Sequence, residues 1–390
     1  MLIPKLALRN LLGAGLRTWL NVVVLSFAFI AIITAQGLLE GMNEQAAQAM
    51  KDTQYGSGQY WQAKYDPYDP LTLQDAHAVV PEQLNSLIKE GKATALLIIQ
   101  GTIYPDGRIR PVLIKGIDPG QKILTLPSEY LFDNNGEIPA LIGTRMATST
   151  GLKVGDYVTL QWRDANGTFD AKDIRIVQVM KTTVQSIDVG QIWIPLNTLQ
   201  EMAGMQNEAT LVTLGKDVRF DAETEGWLFK DLNFLLKDIR ELIESKTLGS
   251  MIVYVILLFL AMLAIFDTQV LSIFRRRKEM GTMMAMGMTR GRVIQLFTTE
   301  GALHGVLAAV LAALYGLPLL AYFAKIGWTL PSNTDSYGFA IGETLFPSFS
   351  AALVLGTTIL VLLVTTIVSF LPTRKIAKLK PTDALRGKLT

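Results

Sequence analysis

Asp267-Thr-Gln-Val-Leu-Ser-Ile-Phe-Arg-Arg-Arg-Lys-Glu-Met-Gly-Thr-Met-Met-Ala-Met-Gly-Met-Thr-Arg-Gly-Arg292 is where the reading of this chain turns. An apolar run ends in the cationic cluster Arg275, Arg276, Arg277 and Lys278. A Met-rich segment from Met280 to Met288 follows, and Arg290 and Arg292 then open a second apolar run. Such a segment is too short for a domain and too apolar for an idle loop. Methionine is unbranched and polarizable and adapts to irregular grooves, so insertion into a partner protein fits the segment. An amphipathic helix on a lipid leaflet fits it as well, because basic residues favour that too.

Working outward, half of the 390 residues are apolar and 18% are charged, against about 25% charged in soluble domains. A hydrocarbon core of ~30 Å takes about 20 apolar helical residues to cross. Four windows qualify, at residues 19–39, 248–271, 298–324 and 349–371. The first lacks a small-residue cleavage site behind it and reads as a retained anchor. Orientation follows from basic residues in short loops. The N-terminal segment 1–18, the loop 272–297 and the tail 372–390 carry 15 Lys and Arg against Glu279 and Asp383. The segment from 43 to 247 carries 20 basic and 27 acidic residues. The expectation is therefore cytoplasmic termini, an exported domain over 40–247 and a short exported loop at 325–348.

Within that domain, Met42, Ala46, Ala49 and Met50 suggest a helical stalk over 40–55, and Leu228, Leu232, Leu235, Leu236, Ile239, Leu242 and Ile243 suggest another at the far end. Short β-type runs lie between them, at 95–100, 112–115, 157–162 and 174–180, with Asp164-Ala-Asn-Gly167 as a hairpin turn. Gly301, Gly305, Ala309, Ala312 and Gly316 line one face of the third span. Small residues let helices approach closely in lipid, for packing within the subunit or at a dimer seam. Asp267 and Glu300 lie near span ends, placed either to pair with Arg275 to Lys278 or to relay ions.

Several chemistries are excluded. There is no cysteine, so no disulfide, thiolate nucleophile or cysteine-held zinc. No Gly-x-x-x-x-Gly-Lys-Ser/Thr, Gly-x-Ser-x-Gly or His-Glu-x-x-His motif occurs. His77 reads as a surface residue, and His304 as a structural neighbour of Glu300 one helical turn away. A net charge of +2 gives no bulk attraction for nucleic acid. The expectation is a non-catalytic chain that binds no cofactor and no metal.

The pattern Arg-x-x-Glu-Met-Gly-x-x-x-Ala-Met-Gly-Met-Thr ahead of a small-residue span resembles the FtsX-like permease domain of the MacB, LolC and LolE family of ABC transporters. Leu371-Pro-Thr-Arg374 and Pro381-Thr-Asp-Ala-Leu-Arg386 look like that family's ending, and Leu6-Ala-Leu-Arg-Asn-Leu11 like its start. Ile114-Lys-Gly-Ile-Asp-Pro119, Leu141-Ile-Gly-Thr-Arg-Met-Ala147 and Gly151-Leu-Lys-Val-Gly-Asp156 are similar to its periplasmic core domain. The resemblance implies an α-helical inner-membrane protein with four transmembrane helices. A large mixed α/β extracytoplasmic domain would sit between the first two, Porter- and Sabre-like, with a strand-rich insertion at about 120–205. It further implies a dimer with a second permease subunit and a separate MacB/LolD-like ATPase, which would hold ATP and Mg2+. The coupling helix for that ATPase would use Glu279, Met280, Gly281, Met283, Met284, Ala285, Gly287, Met288, Arg290 and Arg292. Phe27, Phe29, Ile33, Val253, Ile256 and Phe259 would line a cavity for a lipid or lipoprotein. A periplasmic carrier or adaptor belongs to some members, but the region 162–174 is shorter and more polar here than the hook that recruits it. The implied function is mechanical transmission of ATP hydrolysis for lipoprotein or lipid extraction. The alternatives are hydrophobic-compound efflux and FtsX-like signalling to a cell-wall hydrolase.

Overall fold

The computed structural model describes residues 2–13, 15–132, 136–182, 184–216, 218, 224–329 and 344–376. Two compact units share the chain. One comprises the described residues of 2–43, 242–329 and 344–376, and the other is centred on residues 44–241.

Helix α1 (Leu2–Gly13) is followed by Gly15 at φ +74°, a left-handed turn that separates it from α2 (Leu16–Met50). α2 continues unbroken beyond residue 39 and passes into a π-helical turn, Lys51–Tyr55.

The central unit then runs β1 (Gly58–Gln62), β2 (Ala78–Val79), α3 (Glu82–Lys89), β3 (Ala93–Ile103), β4 (Arg110–Ile117), β5 (Ile138–Gly143) and α4 (Thr144–Thr150). It continues through β6 (Tyr157–Arg163), β7 (Phe169–Met180), α5 (Gln185–Asp188), β8 (Gln191–Pro195) and α6 (Leu196–Ala203). β9 (Glu208–Ala209), β10 (Leu211–Leu214), β11 (Trp227–Asp231) and α7 (Leu232–Leu235) complete it. Nine strands form one mixed sheet in the order β11-β1-β10-β3-β4-β8-β5-β7-β6. β6 also pairs the far end of β3 through Gly101, Thr102 and Ile103, closing six strands into a ring. Residues 120–205 supply four of those six, so they continue the sheet of the flanking segments.

Because side chains alternate across a strand, the ring has an inside and an outside. Leu97, Ile99, Ile114, Leu160, Ile176 and Ile192 fill the inside with Trp162. Leu96, Ile98, Ile117, Leu141 and Trp193 point to the opposite face, where Met50, Leu235 and Leu236 cover them. The hairpin forms as its residues require. Gly167 takes φ +83°, and the Asp164 carboxylate accepts the amides of Asn166 and Thr168 at 2.9 and 2.7 Å. His77 is half-buried rather than a free surface residue, with Nδ1 against the Glu208 carboxylate. One sequence expectation is overturned. The stretch from 228 to 243 is not one helix, because Leu228 lies in β11 opposite Trp61 and is 49% exposed. Asp231 ends that strand and caps α7 by accepting the Phe234 amide.

The first unit resumes with α8 (Lys237–Arg275), α9 (Arg277–Ala285) and α10 (Arg290–Ile326). A short ribbon, β12 (Trp328–Thr329) with β13 (Thr344–Leu345), precedes α11 (Ala351–Ile376). Among the described residues three helices are long and apolar enough to cross a membrane, Trp19–Tyr55, Arg290–Ile326 and Ala351–Arg374. The window 248–271 lies within the 39-residue α8.

Val22, Leu25, Phe29 and Ile32 of α2 pack with Ala308 and Ala312 of α10 and Val361 and Val368 of α11. The small face of α10 is consumed by this packing. A Cβ at Gly316 would stand 2.7 Å from Ile30, and one at Gly305 would stand 3.0 Å from Leu362 and Thr365. Thr357 of α11 donates to Gln36 of α2 at 2.7 Å, a polar pair of the kind that fastens apolar helices together.

Candidate functional site

The Met-rich segment folds as a helix and a turn. α9 ends in a Schellman closure, with the Met288 amide on the Met283 carbonyl at 3.0 Å and the Gly287 amide on the Met284 carbonyl at 3.1 Å. That closure needs a residue of positive φ, and Gly287 supplies it at +97°. Thr289 then takes extended backbone and α10 begins.

Met280 and Met284 share one face of α9, four residues apart, and meet Val293 and Phe297, four apart on α10. Met280 is 1% exposed. Burying a methionine side chain this completely is worth roughly 1.5–3 kcal/mol, so this small core holds the turn to its helix. The opposite edge faces outward. Met286, at the tip, is 77% exposed.

A charged clamp sets the base of the turn. The Arg276 guanidinium lies 4.9 Å from the Phe297 ring centre and donates to both carboxylate oxygens of Glu300, at 2.9 and 2.8 Å. Its Nε donates to Glu279 at 2.8 Å. Glu300 is buried and accepts a further bond from the Asn10 amide of α1 at 2.8 Å. One guanidinium nitrogen, Nη1, serves both Glu300 oxygens while Nε serves Glu279, so charge-assisted bonds fix the guanidinium between two carboxylates. The α8–α9 joint, α10 and α1 are therefore tied at one point. The pairing expected between Glu300 and the cationic cluster is present and selects Arg276. His304 bonds the Glu300 backbone carbonyl at 2.9 Å and leaves the carboxylate to the clamp.

The expected coupling residues thus separate into two groups. Glu279, Ala285, Gly287, Arg290 and Arg292 are exposed, and Met283, Met284 and Met288 are half-buried. Met280 and Gly281 are buried within the chain, so they support the surface rather than form it. Met286 and Asn10 were not singled out from sequence. Met286 carries the same signal as its neighbours, whereas nothing local marks Asn10.

The residues expected to line a substrate cavity also divide. Phe27 is 69% exposed, but Phe29 and Ile33 are 1% and 5% exposed. Positions 27 and 29 lie about 200° apart on a helix, and Phe29 and Ile33 face the interior of this chain. Ile256 and Phe259 are exposed on α8, and the Val253 side chain lies outside the described residues. No group of three metal-ligating side chains occurs among the described residues.

Comparison with known proteins follows this geometry. Residues 18–224 match the family described as MacB-like periplasmic core domain, and residues 251–381 match FtsX-like permease C-terminal. An uncharacterised ABC transporter permease of Methanocaldococcus jannaschii is 24% identical, over 61% of this chain and 58% of its own. The macrolide export ATP-binding/permease protein MacB of Acinetobacter baylyi is 22% identical over 98% of this chain and 59% of its own. MacB of Neisseria gonorrhoeae is 27% identical over 56% of this chain and 34% of its own. The chain thus spans about a third to three-fifths of the length of these relatives. A solved structure, the extracellular domain of the noncanonic ABC-type transporter YknZ from Gram-positive bacteria, covers 41% of this chain and 83% of that one, at 18% identity and a TM-score of 0.27.

Proposed function

This chain belongs to the MacB-type, FtsX-like permease family, and we propose that it is the membrane subunit through which a separate ATPase moves an exported domain. The observation that carries the reading is the clamped turn. An exposed apolar tip at Met286, flanked by Arg290 and Arg292, stands on a base that Arg276 and Glu300 hold against two other helices. A surface that must transmit displacement has to be adaptable where it meets its partner and stiff where it joins its own helices. This one has both properties.

In the proposed arrangement 248–271 is a fourth span, both termini are cytoplasmic and the chain lies in the inner membrane with a second permease subunit. ATP and Mg2+ bind to a MacB/LolD-type ATPase that docks on the turn. The nucleotide biases the assembly only by binding one of its states more tightly, and the closed state of the ATPases is the one it favours here. Hydrophobic cargo, a lipid, a lipoprotein or an exported compound such as those its MacB relatives are named for, then meets Phe27, Ile256 and Phe259. The size of the central domain, near 200 residues, favours transport over signalling to a cell-wall hydrolase in this reading.

The test is co-purification of a co-expressed MacB/LolD-type ATPase with Met286→Glu and Arg290→Glu. Both side chains are exposed, so the variants should fold and insert normally. Wild type should retain the ATPase and both variants should lose it. Equal retention by the variants would move the docking surface elsewhere.

A further inference from the structure

Lys115 stands where the sheet otherwise places hydrophobes. Leu113, Lys115 and Ile117 share one face of β4, and the register sets Lys115 between Ile98 of β3 and Trp193 of β8. Lys115 is 5% exposed and has no hydrogen-bond or ion-pair partner among the described residues. Its Nζ lies 4.9 Å from the centre of the Trp193 ring, a cation–π contact. The Trp193 Nε1 is itself buried without a hydrogen-bond partner. An unpaired buried ammonium is expensive to keep, and a cost of that kind at a cavity marks a candidate binding site.

Lys115 and Trp193 line the deep end of a cavity of about 210 Å³. Trp61 and Tyr65 form its wall, their rings 5.0 Å apart and edge-to-face, and the exposed Tyr68 stands at its mouth. Asp238, also at the mouth, is engaged by the Tyr68 hydroxyl. Lys230 sits on the far side of the wall, over the Trp61 and Phe234 rings. Among the polar groups of the lining, Gln59 is already bonded to Gln54, Thr213 and Trp61, whereas Lys115 and the Trp193 Nε1 are donors without an acceptor among the described residues; Tyr55 and Tyr65 add hydroxyls to otherwise flat, apolar walls. A cavity of about 150 Å³ accommodates benzene, so this one has room for a single ring and one small charged group.

We propose that this cavity binds a small carboxylate carried on a single flat ring, with the carboxylate seated at Lys115 beside the Trp193 indole. The site belongs to the central domain and is independent of whether an ATPase docks on α9.

Equilibrium dialysis of the full-length protein in detergent micelles, with radiolabelled benzoate and its uncharged analogue benzamide at pH 7, tests this. Wild type should bind benzoate saturably, with benzamide weaker by about tenfold, the factor expected from a charge-assisted hydrogen bond. Lys115→Met should keep its far-ultraviolet circular dichroism spectrum and bind the two compounds alike. Non-saturable benzoate uptake, equal affinities in wild type, or undiminished benzoate preference in Lys115→Met would each overturn the proposal. The wild-type comparison decides the matter even if the variant folds poorly.

Discussion

Replacing Lys115 with methionine should stabilise this protein, which is unusual for a substitution in a sheet. Methionine has nearly the same length and lacks the charge. Burial pushes the Lys115 ammonium from an ordinary 10.5 down to about 8. At 1.36 kcal/mol per pK unit that depression corresponds to about 3 kcal/mol of penalty for the charged form at neutral pH. Allowing for imperfect packing of the methionine, the gain should be about 2–3 kcal/mol, or roughly 4–12 °C in Tm for a domain near 200 residues. The pH dependence is the diagnostic part. Below about pH 8 the folded and unfolded chains both carry the proton and the penalty is felt in full. Between about 8 and 10.5 the folded chain releases the proton while the unfolded chain keeps it, so wild-type stability rises with pH. The gap to Lys115→Met should therefore shrink across that range. Tyr55 and Tyr65 are pushed up by burial and Tyr68 by its bond to Asp238, so these neighbours stay neutral there and are common to both proteins. Tryptophan emission during heating, at pH 7 and pH 9.5, reads the effect, because Trp61, Trp162, Trp193 and Trp227 all lie in the central unit. A variant no more stable than wild type at pH 7, or a gap unchanged at pH 9.5, would refute the reasoning.

Other perturbations address the membrane unit. Glu300→Ala should lower the Tm of that unit and expose the α8–α9 joint to limited proteolysis, because it leaves the half-buried Arg276 with Glu279 alone and the Asn10 amide without its acceptor, at a cost of about 2 kcal/mol. Met280→Ala should cost roughly 2–4 kcal/mol by opening a cavity against Val293 and Phe297, and should weaken ATPase retention without altering the exposed tip. Gly316→Val adds a Cβ that would stand only 2.7 Å from Ile30, so it should reduce the monodisperse yield in size-exclusion chromatography, while Gly356→Val, with open space around it, should not.

Much of the architecture was legible because it is written in local periodicity. Runs of about 20 apolar residues, short apolar runs in β3 and β4, alternation in β6 and β7, and the Asp-Ala-Asn-Gly turn each satisfy backbone requirements within a few residues. The misreadings have an equally definite cause. Leu228, Leu232 and Leu235 fit a helical stripe, yet pairing with β1 draws Leu228 into a strand. That partner lies far away in the chain, and spacing carries no trace of it. Met280 and Met286 look alike in a Met-rich run, and the facing surface of α10 decides which is buried.

By itself the sequence determined the long apolar runs, the large domain between the first two of them, the absence of a P-loop and the cationic, Met-rich turn that carries the family resemblance. Tertiary structure alone decided that Asn10 and Arg276 converge on Glu300, that the small face of α10 is used up inside the chain, and that Lys115 lies unpaired at the end of a cavity. The division follows from the range of the interactions involved. Hydrophobic periods and turn preferences act between neighbours in sequence, whereas burial, pairing and cavities depend on which distant element the fold sets opposite.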